Sequence, residues 1–248
     1  METTALKAAA ADLQQRIGLR EELLAFFYSD RQPEGYQVPG GKQVCLIAAL
    51  TRARHGETVY CDAEHYGCRG CGHFLGFVPP MPTIDYFVST GIPGKMEGEH
   101  YKQSPELVRQ YREECAIAPA PAPYAVFKPV SCLVADERPE LLFYFGTPDE
   151  LSALVTLANF ARADDGVICP FGSGCGTLIS RALVEARHER PRAILGLFDP
   201  SARPCVPADR LSFSAPLAMW AEMFANAPES FLKTETWSKV KQRIASAG

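Results

Sequence analysis

The sequence predicts an α/β or α+β fold. Residues 1–248 form a single compact domain built from two similar halves, 18–118 and 124–233, with a cleft between them and a C-terminal helix over 234–248. Two observations carry this prediction. Ala49-Leu-Thr-Arg-Ala-Arg54-His55 reappears as Ala182-Leu-Val-Glu-Ala-Arg187-His188, each copy behind a glycine-rich stretch, Pro39-Gly-Gly-Lys42 and Gly172-Ser-Gly-Cys175. The flanks also match in order. Glu22-Leu-Leu-Ala-Phe-Phe-Tyr28 and Glu140-Leu-Leu-Phe-Tyr-Phe145 lie upstream, and Leu75-Gly-Phe77 with Pro79 and Leu195-Gly-Leu197 with Pro200 lie downstream. Similar blocks in one order mark a repeated supersecondary unit, here strand, long connection, helix and closing segment.

Taken in chain order, Gly40-Gly41 leads into the first repeated helix. Thr90-Gly-Ile-Pro-Gly-Lys-Met-Glu-Gly-Glu99 reads as a surface loop able to cover a site. Ser104-Pro105-Glu106 opens a helix toward Glu114. Pro119-Ala-Pro-Ala-Pro123 is extended, because each proline disfavours helix in its predecessor, and serves as a short stiff crossover between the halves. Thr147-Pro148-Asp149-Glu150 is a capping box, followed by Leu151, Leu154, Val155 and Ala158 at helical spacing. Gly172–Gly176 leads into the second repeated helix. Pro216 sits in the first turn of another helix, whose one face carries Leu217, Trp220, Ala221 and Phe224, and a last helix covers about 234–244.

Composition narrows the class of function. With 47% hydrophobic residues, 248 residues can bury a substantial core. A net charge of −4 leaves no broad basic surface to neutralise phosphates, so neither nucleic acid nor anionic membrane is an expected partner. Met1 to Ile17 lacks a signal-peptide apolar core, and no later apolar run approaches the roughly 20 residues of a membrane span. The expected location is the cytoplasm, where nine cysteines read as free thiols or metal ligands rather than a disulfide framework.

Three of the cysteines fall in Cys61-Asp-Ala-Glu-His65-Tyr-Gly-Cys68-Arg-Gly-Cys71-Gly-His73. The two-residue spacing of Cys68 and Cys71 lets both sulfurs face one guest. Cys45 and Cys175 lie at the glycine-rich starts of the repeated helices, where amide donors make a thiol a better ligand or nucleophile. Cys115, Cys132 and Cys205 read as small buried hydrophobes. Arg54 and Arg187 are candidate anion clamps facing the cleft, with Gly174 and Gly176 offering backbone contacts. His55 and His188 fit the C-terminal ends of the repeated helices. Asp199-Pro-Ser-Ala-Arg203 reads as a turn held by Asp199 and Ser201.

The ordered series Pro39-Gly-Gly-Lys-Gln-Val-Cys45, Ala53-Arg54, Gly67-Cys68, Leu75-Gly76, Gly174-Cys175-Gly176 and Asp199-Pro-Ser-Ala-Arg203 resembles the uncharacterised ArCR family, domain of unknown function 169. The resemblance spans most of the chain and implies a free-standing prokaryotic cytoplasmic protein with Cys45, Cys68 and Cys175 as candidates for a shared site. It carries no reaction, and glycine often stands in the family where Cys71 does here.

Three functions remain open on sequence. The leading one is an iron–sulfur cluster on Cys45, Cys68, Cys71 and Cys175 with a redox role. A second is a non-catalytic small-ligand-binding protein with structural zinc on Cys61, His65, Cys68 and Cys71. A third is a thiol enzyme using Cys175 or the Cys68/Cys71 pair with His65 or His73 as base. The expected partner is a small molecule or a redox partner protein, and the sequence sets no oligomeric state.

Overall fold

The computed structural model describes residues 1–41, 44–115 and 117–246. Lys42 and Gln43 of the first glycine-rich stretch, and Ala247 and Gly248 of the expected last helix, lie outside the described residues. In chain order the elements are α1 (Thr3–Ile17), β1 (Leu24–Ser29), β2 (Tyr36–Gln37), α2 (Leu46–Arg54), β3 (Val59–Cys61), α3 (Arg69–Phe74), α4 (Ile84–Val88), α5 (Pro105–Glu113) and β4 (Tyr124–Pro129). They continue with β5 (Leu141–Gly146), α6 (Pro148–Ala158), β6 (Val167–Ile168), a π-helical segment (Gly176–Ser180), α7 (Arg181–Glu185), β7 (Ala193–Gly196), β8 (Leu211–Pro216), α8 (Leu217–Asn226) and α9 (Glu235–Ser246).

One mixed sheet runs in the order β2-β3-β4-β1-β5-β8-β7-β6. Its centre is the antiparallel pair β1–β5, in register Leu24↔Phe143, Ala25↔Leu142 and Phe26↔Leu141. Outward from that centre the pairings are antiparallel, antiparallel and parallel on one side, through β4, β3 and β2. They follow the same sequence on the other side, through β8, β7 and β6.

Strands covered on both faces read as near-continuous apolar runs, and β1, β4 and β5 are largely apolar because helices lie on each side. One apolar cluster joins Ala25, Phe27, Leu142 and Tyr144 to α1, α6, α8 and α9. The other joins Leu24, Phe26, Phe127 and Phe143 to α2, α3, the π segment and α7. Successive residues of a strand point to opposite faces, so Leu24 and Ala25 serve different layers. Trp220 is fully buried in the first cluster, and its indole N–H donates to the Leu142 carbonyl at 2.8 Å.

The expected helices are present. α5 starts at Ser104, whose hydroxyl accepts the Leu107 N–H, and α6 starts at the capping box. Pro216 ends β8 and caps α8 rather than lying in its first turn. The sequence reading missed α1, where Leu6, Ala10, Leu13 and Ile17 repeat at three- and four-residue steps among alanines and stop at Gly18 with φ 87°. Three of the four matched blocks occupy like elements: β1 and β5 carry the apolar runs, while α2 and the 174–185 helix follow the glycine-rich stretches. The fourth does not. Leu75 caps α3 whereas Leu195 and Gly196 belong to β7, so that echo of Leu-Gly pairs is fortuitous.

Glu150 does more than close a capping box. It is fully buried and accepts the Thr147 N–H at 2.9 Å, the Tyr144 hydroxyl at 2.6 Å, the Arg20 N–H at 3.0 Å and Arg210 at 3.1 Å. Arg210 in turn reaches Glu21 at 3.8 Å, and Glu21 holds Arg54. Burial pushes the Glu150 carboxyl up, but the bonds from Tyr144, Thr147 and Arg20 outweigh it and hold the group below the ordinary 4.5.

A carboxyl depressed by folding adds stability that is full above its unfolded value and drains as pH falls through its folded one. Glu150→Gln should therefore lower unfolding free energy by about 3 kcal/mol near neutral pH, since one partner of a buried ionic network is lost. Urea midpoints of wild type and variant should differ at about pH 7 and approach one another as pH falls through the folded value of the carboxyl, below 4.5. Equal midpoints at neutral pH would contradict this account of Glu150.

Candidate functional site

Three glycine-led helix starts meet beside the β3 and β7 ends of the sheet. Gly67 has φ 73°, and a Cβ there would lie 2.4 Å from the Val44 carbonyl oxygen, so only glycine can make this turn. With no side chain in the way, the N–H groups of Gly67 and Cys68 donate to the carbonyls of Pro39 and Val44 at 3.2 and 3.1 Å. The lead-in of α3 is thereby strapped to the lead-in of α2. Gly174 serves the third start: a Cβ there would fall 2.9–3.0 Å from Ala202, Ile47 and Leu197. The start of the 174–185 helix can pack against α2 and the loop after β7 only because that position is bare.

These approaches set the thiols. Cys45 is the N-cap of α2, Cys68 is the N-cap of α3, Cys71 lies within α3, and Cys175 leads the π segment. The Cys68 sulfur accepts the Cys71 N–H at 3.4 Å. All four line one cavity of about 990 Å³, together with Gly174 and Gly176. Cys175 is the common neighbour: it acts on Cys45, Cys68 and Cys71, while Cys71 also meets Cys61, and Cys45 meets Cys205.

Burial, and then Cys175, push the Cys45 thiol up to about 12. Burial and Cys175 likewise raise Cys68. Cys71 is raised by its contacts with Cys175 and Cys61 as well as by burial. Thiols with raised pKa values, as Cys45, Cys68 and Cys71 have, are neutral at pH 7 and ionise readily only when a cation shares the space. Among the described residues, no three Cys, His, Asp or Glu side chains already converge as a metal-holding group.

The cavity roof is the part of the chain that carries α4 and α5, after α3. Met81, Ile84, Phe87, Val88 and Val108 give it an apolar lining, and Tyr101 and Tyr111 stand beside Asp199 and Ser201. Glu99, at the end of the expected covering loop, also lines it. His73 lines the cavity, and burial lowers its pKa, so the ring is neutral near pH 7.

Other residues singled out from sequence lie elsewhere. Arg54 is gripped by Glu21 through two bonds of 2.7 and 2.6 Å and is not part of the cavity lining. Arg187 lines a separate pocket of about 270 Å³ with Glu140 and Tyr28. The Arg54 guanidinium, paired with a half-buried carboxylate, is used structurally, which a sequence pattern does not reveal. His65 is half exposed, with Nδ1 3.0 Å from Asp62, and Cys61 is buried on β3. His55 caps α2 and contacts the Thr51 carbonyl at 2.7 Å. Cys132 is exposed rather than buried, and Cys115 lines the cavity from the end of α5. The Asp199 turn is as expected, with Oδ1 accepting the Ser201 hydroxyl and the Ala202 N–H.

Only a thiolate alkylates rapidly. In reduced, chelator-treated protein at about pH 7.5, iodoacetamide should label Cys132 first and leave Cys45, Cys68 and Cys71 largely unmodified. Between about pH 8 and pH 10 the Cys45 rate should rise about tenfold per unit, because its thiol still lies below its pKa. Rapid labelling of Cys45 at neutral pH, read by peptide mass spectrometry, would contradict the burial argument.

Comparison with curated proteins and with solved structures finds no significant match. A family model, described as uncharacterised ArCR and numbered domain of unknown function 169, matches residues 12–226 and so takes in every cysteine of the site. The chain that brings these thiols together therefore belongs to the uncharacterised ArCR family.

Proposed function

We propose that this protein carries an iron–sulfur cluster on Cys45, Cys68, Cys71 and Cys175 and uses it in a redox role, toward a small molecule in the cavity or a redox partner protein. The observation that carries the reading is the gathering of thiols from three distant segments around Cys175 on one cavity wall. The raised pKa values of Cys45, Cys68 and Cys71 make these thiols poor free nucleophiles. They make a good set of ligands once iron supplies positive charge. The starts of α2, α3 and the 174–185 helix add amide donors of the kind that tune cluster potential through the sulfurs. A cluster also spaces its sulfur ligands farther apart than a single ion bound at about 2.3 Å. That favours it over zinc on Cys61, His65, Cys68 and Cys71, where His65 is turned to Asp62.

The same reading places the cluster in a cleft between two copies of one structural unit. Several features support the duplication. Strand order and pairing sense repeat outward from β1 and β5. The step from Leu24 to Leu142 equals that from Ala25 to Phe143, so the pairs Leu24↔Phe143 and Ala25↔Leu142 exchange, as a twofold axis through the sheet centre requires. Beyond β3 and β7, Asp62 and Asp199 each accept the N–H three residues ahead, from His65 and Ala202. Arg54 meets Glu21 just before β1, and Arg187 shares a pocket with Glu140 just before β5.

Anaerobically purified protein should contain iron and acid-labile sulfide and absorb broadly in the visible range. Cys68→Ser and Cys175→Ser should lose the iron, while Cys132→Ser should keep it. Wild-type protein without iron, or a Cys175→Ser variant that retains it, would overturn the reading. One zinc per chain without sulfide would move the assignment to the Cys61, His65, Cys68 and Cys71 set.

A further inference from the structure

The cavity is much larger than its thiol wall. At about 990 Å³ it reaches the upper size of pockets that hold drug-sized organic molecules, and most of its lining is apolar side chain from the roof. One group in it lacks a partner. Asp199 is 1% exposed, and its Oδ1 is taken by Ser201 and Ala202, yet its Oδ2 is buried and accepts nothing among the described residues. A buried carboxylate oxygen without a donor costs more than most native contacts return. Its strongest remedy is a charged N–H donor.

Beside Arg69, the cations that line the cavity include Arg112, Arg109 and Lys102, and these three are engaged by other groups. Arg112 is 2.6 Å from Asp85 and Arg109 is 2.6 Å from Glu106. The Lys102 ammonium lies over the Tyr111 and Phe171 rings, 5.6 Å from each centroid. Rings already seated beside a cation show that this end of the cavity accommodates positive charge.

We propose that the cavity binds a primary amine with an apolar body, its ammonium donating to Asp199 Oδ2 and its body lying against Met81, Ile84, Phe87 and Val108. This inference does not rest on the cluster, because neither Asp199 nor the apolar roof belongs to the thiol group. Where both hold, the amine is the small molecule presented to the redox centre.

The test is isothermal titration of the full chain, under anaerobic conditions, with three probes of one shape: 2-phenylethylamine, 2-phenylethanol and 3-phenylpropionate. The amine should bind at least about tenfold tighter than the alcohol, the scale of one charge-assisted hydrogen bond, and the carboxylate should bind weakest. Asp199→Asn, which keeps an oxygen for the Ala202 N–H, should erase the amine's advantage and leave iron content unchanged. Cys175→Ser should remove iron and leave the amine's advantage intact. No binding of any probe by wild type, or an alcohol or carboxylate that matches the amine, overturns the proposal. Should Asp199→Asn fail to fold, the wild-type ratio of amine to alcohol decides alone. Missing iron with amine preference retained defeats only the cluster, and iron without amine preference defeats only the amine site.

Discussion

The central pairing of β1 with β5 is the constraint on which the rest depends. Three residue pairs, from Leu24↔Phe143 to Phe26↔Leu141, make one sheet of two four-stranded sets. Cys45, Cys68 and Cys71 hang from one set and Cys175 from the other, so the thiols share a cavity only while that seam is intact. Both faces of the seam are sealed by core: Leu24 and Phe143 pack toward the site layer, Ala25 and Leu142 toward α1, α6 and α8. Because side chains alternate between faces, a slip of one residue would exchange the layers and expose both.

A second tie crosses the same seam through charge. Arg54 and Glu21 belong to the first set; Tyr144, Glu150 and Arg210 belong to the second, and Arg210 bridges Glu150 and Glu21. Buried ionic networks add little net stability over apolar packing but are costly to break singly, so their main effect is to fix one arrangement. Here that arrangement ties the C-terminal end of α2 to the chain just before β1, and α2 carries Cys45 at its start. The Arg54 guanidinium contributes to the site by orienting its helix, 5.4 Å from the Phe145 ring, rather than by meeting a ligand.

Much of this was legible in the sequence where local chemistry decides. The capping box at Thr147, the Ser104-Pro105 start and the paired apolar runs of β1 and β5 each stem from a few adjacent residues. The glycines flagged the thiols as well, since a bare Cα at Gly67 and Gly174 is needed wherever two helix starts approach closely. What stayed hidden depends on partners far along the chain. Nothing near Arg54 announces Glu21, and nothing near Asp199 announces a roof made by α4 and α5. The Leu75-Gly76 echo misled because a Leu-Gly pair suits both a helix end and a strand end. α1 was passed over because its alanines mask a regular apolar face.

The account turns on thiols from both sides of the seam sharing one guest. The most direct measurement is an anomalous-difference map at the iron edge from a crystal grown anaerobically. The account predicts iron density bonded to Cys175 Sγ from one strand set and to Cys45 and Cys68 Sγ from the other, at about 2.3 Å. Density held by the Cys61 to Cys71 segment alone, or no metal density on the cavity wall, would contradict it.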